Sequence, residues 1–299
     1  MTATLVIDLG GTKILAALVD GASIVERAQV PTDRQAGPEG WLEQMAQLAE
    51  PWAGRYSHLG ITVTGHVEGG RWSAVNRATL DVPDAYPLAA KAKAALGLEP
   101  VLANDAHAAA WGEYCHGAWA MWKDGAGLGA SALAGGMVFL TVSTGIGGGI
   151  VLDGNLLRGR HGLAGHFGQL VSSDHEGPLE DRISGQWMAR EAAEAGYDVD
   201  ARGVFEAADN GQDWAQTLVS TSAARLALLC RNIQLIFDPD LIVIGGGIGL
   251  ADGYLQRITT QLQTLPPRTQ PTLARAALGA DAGAIGIAAL ATKTREQSI

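Results

Sequence analysis

Cysteine is nearly absent from the 299 residues, which hold only Cys115 and Cys230. Two thiols so far apart, with no C-x-x-C spacing, make neither a disulfide framework nor a thiolate zinc site, and they suit a reducing cytoplasm. Charge is sparse as well, with Asp, Glu, Lys and Arg at 17% against a usual ~25%. Basic residues are the scarcer sign, 21 against 31 acidic ones, for a formal net charge of −10. No basic run interrupts that balance, so neither nucleic acid nor an anionic membrane surface is an expected partner. The segment 1–8 lacks a basic n-region and a long apolar stretch and is not read as a signal peptide. One charge-free stretch, the 28 residues between Asp124 and Asp153, has the length of a bilayer span. Nine of those residues are glycine, at ~1 kcal/mol lost per glycine in a helix, so strands and turns are expected there and no membrane is.

Glycine is what abounds, 40 residues with no G-X-Y period and only 11 prolines, which excludes collagen. The apolar share of 47% is enough for a sizeable core. Short β-rich runs at 5–8, 14–19, 59–64, 100–103, 139–143, 150–152 and 241–244 read as strands. A helix from Pro38 carries Trp41, Met45, Leu48 and Trp52 at helical spacing, and others are expected at 89–96, 106–114, 249–262 and 282–294. The longest, 213–237, has Trp214, Leu218, Leu226, Leu229, Ile233 and Ile236 on one stripe and is stopped by Asp238-Pro239; a core face comes first and a dimer surface second. Strands alternating with helices mean an α/β fold, with the Gly- and Ala-rich 117–136 as a connection between two lobes.

Three glycine clusters directly follow expected strands: Gly10-Gly11, Gly145 to Gly149, and Gly245 to Gly249. Without a Cβ, backbone N–H groups can turn inward and approach an anion closely, so such a loop binds phosphate without lysine. Neither G-x-G-x-x-G nor the Walker A pattern is present. One cluster would be a tight turn; three at strand ends, two with hydroxyl neighbours at Thr12, Ser143 and Thr144, point to phosphate. Asn104-Asp105 stands where a strand meets a helix, as a helix cap or as a carboxylate that accepts a proton in a cleft.

Asp8-Leu-Gly-Gly-Thr-Lys13, Asn104-Asp105-Ala106, Thr141-Val-Ser-Thr-Gly-Ile-Gly-Gly-Gly149 and Ile242-Val-Ile-Gly-Gly-Gly247 together resemble the ROK family of sugar kinases, over residues 4 to about 293. The resemblance implies a two-lobed, actin/hexokinase-like (ribonuclease H-like) ATPase fold with duplicated strand-turn-strand units. It implies one lobe of 1–117 plus 282–299, a connection at 118–136, and a second lobe of 137–281, closing to exclude water. ATP with Mg²⁺ is the implied cofactor. Its phosphates fall to Gly10, Gly11, Thr12, Lys13, Thr144, Gly145 and Gly147, Mg²⁺ to the neighbourhood of Asp8, and adenosine to Gly245, Gly246 and Gly247. Asp105 is the implied catalytic base, with Gly65, Asn104, His166 and Glu180 also on the sugar. A homodimer is expected as the assembly. The segments 104–111, 164–166 and 247–254 are most similar to the family branch acting on N-acetylmannosamine, which implies phosphorylation of that sugar at its 6-hydroxyl. Glucose, fructose or N-acetylglucosamine are alternatives, and a silent ATP-binding or sugar-sensing protein is an alternative of another class.

The sequence also departs from the family. Where a Glu-x-Gly-His and three clustered cysteines would hold zinc, this chain has Gly165-His166-Phe167-Gly168-Gln169 and a cysteine-free 172–179. His166 replaces the glutamate and Gln169 the zinc histidine. His175, Asp174 and Glu176 do not make a closed tetrahedral site, so no structural zinc is expected. The usual Pro-Asn-Leu is Ala78-Thr79-Leu80, which loosens the inference about the sugar. With seven residues ahead of Asp8, the helix-turn-helix that the family's repressors carry is not expected.

Overall fold

The computed structural model describes residues 3–75, 77, 79–126, 135–171 and 177–296. The chain forms two compact units, one of residues 1–116, 158–164 and 280–299, the other of 117–157 and 165–279.

The first unit is built on a five-stranded sheet. Its strands are β1 (Ala3–Leu9), β2 (Lys13–Asp20), β3 (Ser23–Pro31), β4 (Tyr56–Val63) and, after a small hairpin of β5 (His66–Glu68) and β6 (Arg71–Ser73), β7 (Pro100–Asn104). The order is β3-β2-β1-β4-β7, antiparallel at β1/β2 and β2/β3, parallel at β1/β4 and β4/β7. β1 and β2 are apolar almost throughout because helices and sheet neighbours cover them. β3 was not expected: it lies at the sheet edge, has no fully buried residue, and so carries no apolar run to reveal it. Helix α1 (Gly37–Ala49) begins at Pro38, whose missing N–H is unneeded in a first turn. It buries Trp41, Leu42 and Met45, and the Trp41 indole N–H donates to the Asp33 carbonyl at 2.6 Å. Helices α2 (Leu88–Leu96) and α3 (Asp105–His116) and the C-terminal helix Ala282–Glu296 complete the unit.

The second unit repeats the plan. Strands β8 (Gly136–Val142), β9 (Ile146–Leu152), β10 (Asn155–Leu157), β11 (Leu241–Gly245) and β12 (Leu273–Arg275) lie in the order β10-β9-β8-β11-β12, with the same sequence of antiparallel and parallel neighbours. The α/β fold with duplicated strand-turn-strand units is therefore present. The charge-free stretch supplies β8 and β9, and no described helix is long and apolar enough to cross a membrane. Helices α4 (Ala118–Gly125), α5 (Gly185–Glu194), α6 (Ala201–Asp209) and α7 (Asp213–Phe237) follow.

Three expectations need correction. The residues 118–125, read as connection, are helical, while 127–134 lie outside the described residues. The buried face of α7 runs through Val219, Ser222, Ala223, Leu226, Cys230 and Ile233, and Ile236 is 70% exposed. Ser222 earns its place by donating to the Ile183 carbonyl at 2.9 Å and pairing with the Tyr254 hydroxyl at 2.7 Å, so the true stripe is partly polar. The helix expected at 249–262 starts only at Tyr254, because Gly253 at φ +70° breaks it from a short helical turn Gly246–Gly249.

Helix α3 and the C-terminal helix touch backbone to backbone. A Cβ on Gly286 would lie 1.7 Å from the Ala108 carbonyl oxygen, and one on Gly112 would lie 2.5 Å from that of Ala282. Neither neighbour is a side chain that could rotate away. Gly286→Ala should therefore destabilise the protein by about 3 kcal/mol or more, at the upper end of overpacking costs. Thermal denaturation with circular dichroism reads this, and an unchanged midpoint would refute the packing described.

Candidate active site

Parallel strands end on a common edge, and in the first unit that edge collects polar residues. The registers pair Asp8 with Thr62 and Thr62 with Ala103, then Leu9 with Val63 and Val63 with Asn104. Two strand spacings therefore separate the Cα of Asp8 from the end of β7, roughly 10 Å. Thr62, fully buried, donates its hydroxyl to Asp8 Oδ1 at 2.7 Å. Asn104 is the cap of α3: its Oδ1 accepts the N–H groups of Ala106 at 2.9 Å and His107 at 3.1 Å. Its Nδ2 donates to the Gly65 carbonyl at 2.8 Å. Gly65 stands at φ +96°, and a Cβ there would sit 2.4 Å from the Ser73 carbonyl oxygen. Gly65, Asn104 and Asp105 are thus tied into one frame.

Both carboxyls of this edge are harder to ionise than usual. Burial pushes Asp8 up, against the Thr62 hydrogen bond and the Lys13 charge that favour its ionised form. For Asp105, burial and then the Asp8 charge push the carboxyl up to about 6, while the Ala106 N–H, 2.8 Å from Oδ1, pulls the other way. A carboxylate of this kind is ionised at neutral pH yet more basic than a solvated one. The glycine turn before β2 is held at its base, where Gly10 N–H donates to the Lys13 carbonyl at 3.0 Å and the Thr32 hydroxyl donates to the Gly10 carbonyl at 2.7 Å. Thr12 and Lys13 are exposed.

In the second unit the matching turn, Ser143–Gly145, joins β8 to β9, with Ser143 and Thr144 exposed. Its carbonyls are taken by the start of α5: Gly185 N–H donates to Ser143 O at 2.7 Å and Gln186 N–H to Thr144 O at 3.3 Å. The Glu180 Oε2 accepts the N–H of Ile146 at 3.3 Å, next to Gly145, where a Cβ would meet that oxygen at 2.7 Å. Gly147 lies within β9. His166 is half-buried at the head of the turn Phe167–Gln169.

A cavity of about 510 Å³ opens beside this turn, lined by Thr144, Gln186, Arg202, Phe205, Gly247 and Ile248 among others. Of the third glycine cluster, Gly246 takes φ +83°, with the Val142 carbonyl 2.4 Å from where a Cβ would be, and Gly245 is buried in the strand. Gln186, Arg202 and Phe205 were not anticipated. Each lies on a helix with no motif around it, and only the fold brings them to the glycines.

Ala78 of the Ala78-Thr79-Leu80 segment, and 172–176 of the cysteine-free 172–179, lie outside the described residues. Among the described residues no group of His, Cys, Asp and Glu is gathered as a metal site. Both cysteines are free; burial pushes the Cys115 thiol up to about 11 and Cys230 to about 12, so neither is a nucleophile at neutral pH.

Residues 4–294 match the ROK family. The bifunctional enzyme NanE/NanK of Brucella melitensis biotype 1 is 46% identical over 289 residues, 96% of this chain and 53% of that protein. The chain thus spans about half the length of this relative. The N-acetylmannosamine kinase of Salmonella typhi is 37% identical over 297 residues, covering 96% of this chain and 98% of that one. The solved structure of a ROK family glucokinase from Streptomyces griseus, in complex with glucose and AMPPNP, is 27% identical with a TM-score of 0.78, covering 97% of this chain and 99% of that chain.

The Asp105 environment carries a consequence for stability. With an ordinary value of 3.8 and a folded one of about 6, the native state holds the proton more tightly than the unfolded chain. The stabilisation this gives is complete below pH 3.8 and is lost as pH rises through about 6. Asp105→Asn should therefore stabilise the fold at pH 7.5, by on the order of 1–3 kcal/mol, and the gain should vanish near pH 4. Urea denaturation at the two pH values checks this; a variant less stable than the parent at pH 7.5 would contradict it.

Proposed function

The chain belongs to the ROK family, and from that membership we propose that it transfers the γ-phosphoryl group of ATP to the 6-hydroxyl of an N-acyl amino sugar, N-acetylmannosamine in the first place. The observation that carries the reading is Asp105, a carboxylate of raised basicity fixed by Asn104 and Gly65 at the end of a parallel strand. The relatives support the choice of sugar, since the Salmonella typhi protein is named for N-acetylmannosamine along nearly its whole length.

The residues present suit a nucleotide. The turn at Gly10-Gly11 packs closely on Thr79, for a Cβ on Gly11 would meet the Thr79 methyl at 2.7 Å and its carbonyl oxygen at 3.2 Å, and it leaves Thr12 and Lys13 exposed beside it. The cavity has the size for a nucleoside, with Phe205 as an aromatic surface, Arg202 as a cation and Gly247 as exposed backbone. Thr12, Gly145 and Thr144 would bind phosphate through backbone N–H and hydroxyl groups, and Asp8 would hold Mg²⁺, which supplies neutralisation of phosphate charge.

Asp105 accepts the proton of the sugar's 6-hydroxyl as that oxygen forms its bond to the γ-phosphorus and the bond to ADP breaks. Asn104 keeps the base in place, because its cap on α3 and its bond to Gly65 leave at most one amide hydrogen for the sugar. Glu180 and His166 are assigned to sugar hydroxyls as well, Glu180 as an acceptor and His166 as either partner. Two free thiols, Cys230 buried and Cys115 half-buried, fit a reducing cytoplasm.

We also propose a homodimer through the outer face of α7, where Leu228, Leu235 and Ile236 are 54%, 59% and 70% exposed. Isolated apolar residues on a surface are ordinary, but three on one helix face invite a second copy.

A sugar panel at fixed ATP should show N-acetylmannosamine preferred by kcat/KM, and preference for glucose would refute that choice. Asp105→Asn should lose about 10²–10⁴-fold in kcat while still binding ATP, and full turnover would sink the mechanism. In the parent, kcat should fall as pH drops below about 6, where Asp105 becomes protonated. Light scattering should give twice the chain mass for the parent and the single mass for Leu235→Asp/Ile236→Asp; a monomeric parent would overturn the dimer.

A further inference from the structure

Gln169 stands where the resemblance places a zinc-binding histidine, and nothing in the phosphoryl transfer above uses it. Its amide Nε2 donates to Glu180 Oε1 at 2.6 Å. The other oxygen of the same carboxylate accepts the Ile146 N–H of the second glycine loop. Glu180 is thus gripped from two sides, by a side chain and by the loop backbone.

The backbone of Gln169 is itself fixed. Its N–H donates to the His166 carbonyl at 3.0 Å, closing the turn Phe167–Gln169. That turn lies directly on β9. Phe167 covers Gly148, and Gly168 comes so near the Ile146 carbonyl that a Cβ would approach its oxygen to 2.3 Å. One residue, Ile146, therefore meets the turn through its C=O and Glu180 through its N–H. Beyond the pair, Leu179 N–H donates to the Leu170 carbonyl at 2.8 Å and Val171 bridges Pro178. Residues 169–171 and 178–180 form the successive rungs of a neck, and the Gln169–Glu180 bond is its outermost rung.

We propose that Gln169 is a positioning residue that holds the Glu180 carboxylate, against the Ile146 N–H, in the orientation that binds the sugar. The inference rests on the sugar-binding role proposed for Glu180. A half-buried glutamate on a 3-10 turn that lacks such a partner can still sample more than one rotamer, and ordering it only when sugar arrives costs affinity. A donor already bonded to one oxygen removes that cost and leaves the outer lone pairs for sugar hydroxyls.

The test compares the parent with Gln169→Ala and Gln169→Glu in sugar-dependent ADP release. Gln169 is exposed, so its truncation opens no cavity. In Gln169→Ala the sugar KM should rise about tenfold with kcat and the ATP KM within about twofold, the effect of one hydrogen bond to a charged group. Gln169→Glu places two carboxyls at hydrogen-bond distance, where both cannot stay ionised. A shared proton recreates the donor at low pH, and its loss at high pH pushes Glu180 away. The ratio of variant to parental sugar KM should then be about tenfold or more near pH 8.5 and approach one near pH 6. Among the described residues, the other titratable groups on surrounding elements include His166, Asp181, Arg182, Arg190, Glu191 and Arg225, with Arg190 donating to the Asp181 carbonyl and Arg225 to that of Arg182; all are common to both proteins and cancel in the ratio. A parent that phosphorylates no sugar overturns the reading of the site and this inference with it. An active parent alongside a Gln169→Ala variant of parental sugar KM, or a flat ratio for Gln169→Glu, overturns this inference alone.

Discussion

Backbone packed against backbone is the constraint on which the rest of this structure depends. Carbonyl oxygens stand where a side chain would begin at Gly286 against Ala108, at Gly65 against Ser73, at Gly168 against Ile146, and at Gly246 against Val142. Each contact fixes something that matters chemically. The first seats α3, which begins at Asp105; the second seats the Gly65 carbonyl under the Asn104 amide; the third seats the turn that carries Gln169; the fourth shapes a cavity wall. Glycine is a poor choice for stability, since it loses more conformational freedom on folding than any other residue. The chain accepts that loss at many positions, and the return is close approach, which no larger residue can supply.

A second tension is electrostatic. Asp105 is the first residue of α3, where the helix dipole favours a negative charge by about 0.3–1 kcal/mol. Its pKa nevertheless rises from 3.8 to about 6, a change of about 3 kcal/mol against the charged form. Burial and the nearby Asp8 charge therefore outweigh the helix, and the fold holds a carboxylate in a setting that disfavours it. That is a cost a purely structural cap would not incur, because Asn104 already satisfies the Ala106 and His107 N–H groups. Two neighbouring residues thus differ: the amide caps the helix, and the acid beside it is held where its ionised form is disfavoured.

Legibility in the sequence followed how local the signal was. The edges of α7 at Asp213 and Phe237 were readable because a period of 3.6 and an Asp-Pro stop both lie within the segment. The glycine turns were readable because each follows an apolar strand at once. Strand β3 was not, since an edge strand alternates weakly and buries nothing fully. Ile236 was misplaced because a helix stripe read by hydrophobicity alone assigns Ser222 to the surface, whereas paired hydroxyls bring it inside. The cavity residues Gln186, Arg202 and Phe205 share no local pattern and come from α5 and α6, so only the tertiary fold could gather them. For Gln169 the sequence announced what it replaced, and the structure alone showed what it touches.

The duplicated sheets make clear where specialisation entered. In both units the first two strands meet at a polar turn, and the strand parallel to the first is followed closely by a glycine at positive φ, Gly65 in one and Gly246 in the other. The plan diverges at the next parallel strand. β7 ends in Asn104 and is followed by Asp105, whereas β12 runs on through Ala276, whose N–H extends the ladder to the Ile244 carbonyl at 2.9 Å. An acid at the second position would face the apolar neighbourhood of Phe139 and Gly245, where a Cβ on Gly245 already meets the Phe139 ring and the Ala276 methyl near 3 Å. At this strand end, then, one unit carries a buried acid and the other a methyl group near an aromatic ring. On the function proposed, the first strand end serves a proton acceptor, which needs ionisable groups near one another, and the second a nucleoside, which needs flat, apolar and backbone surface.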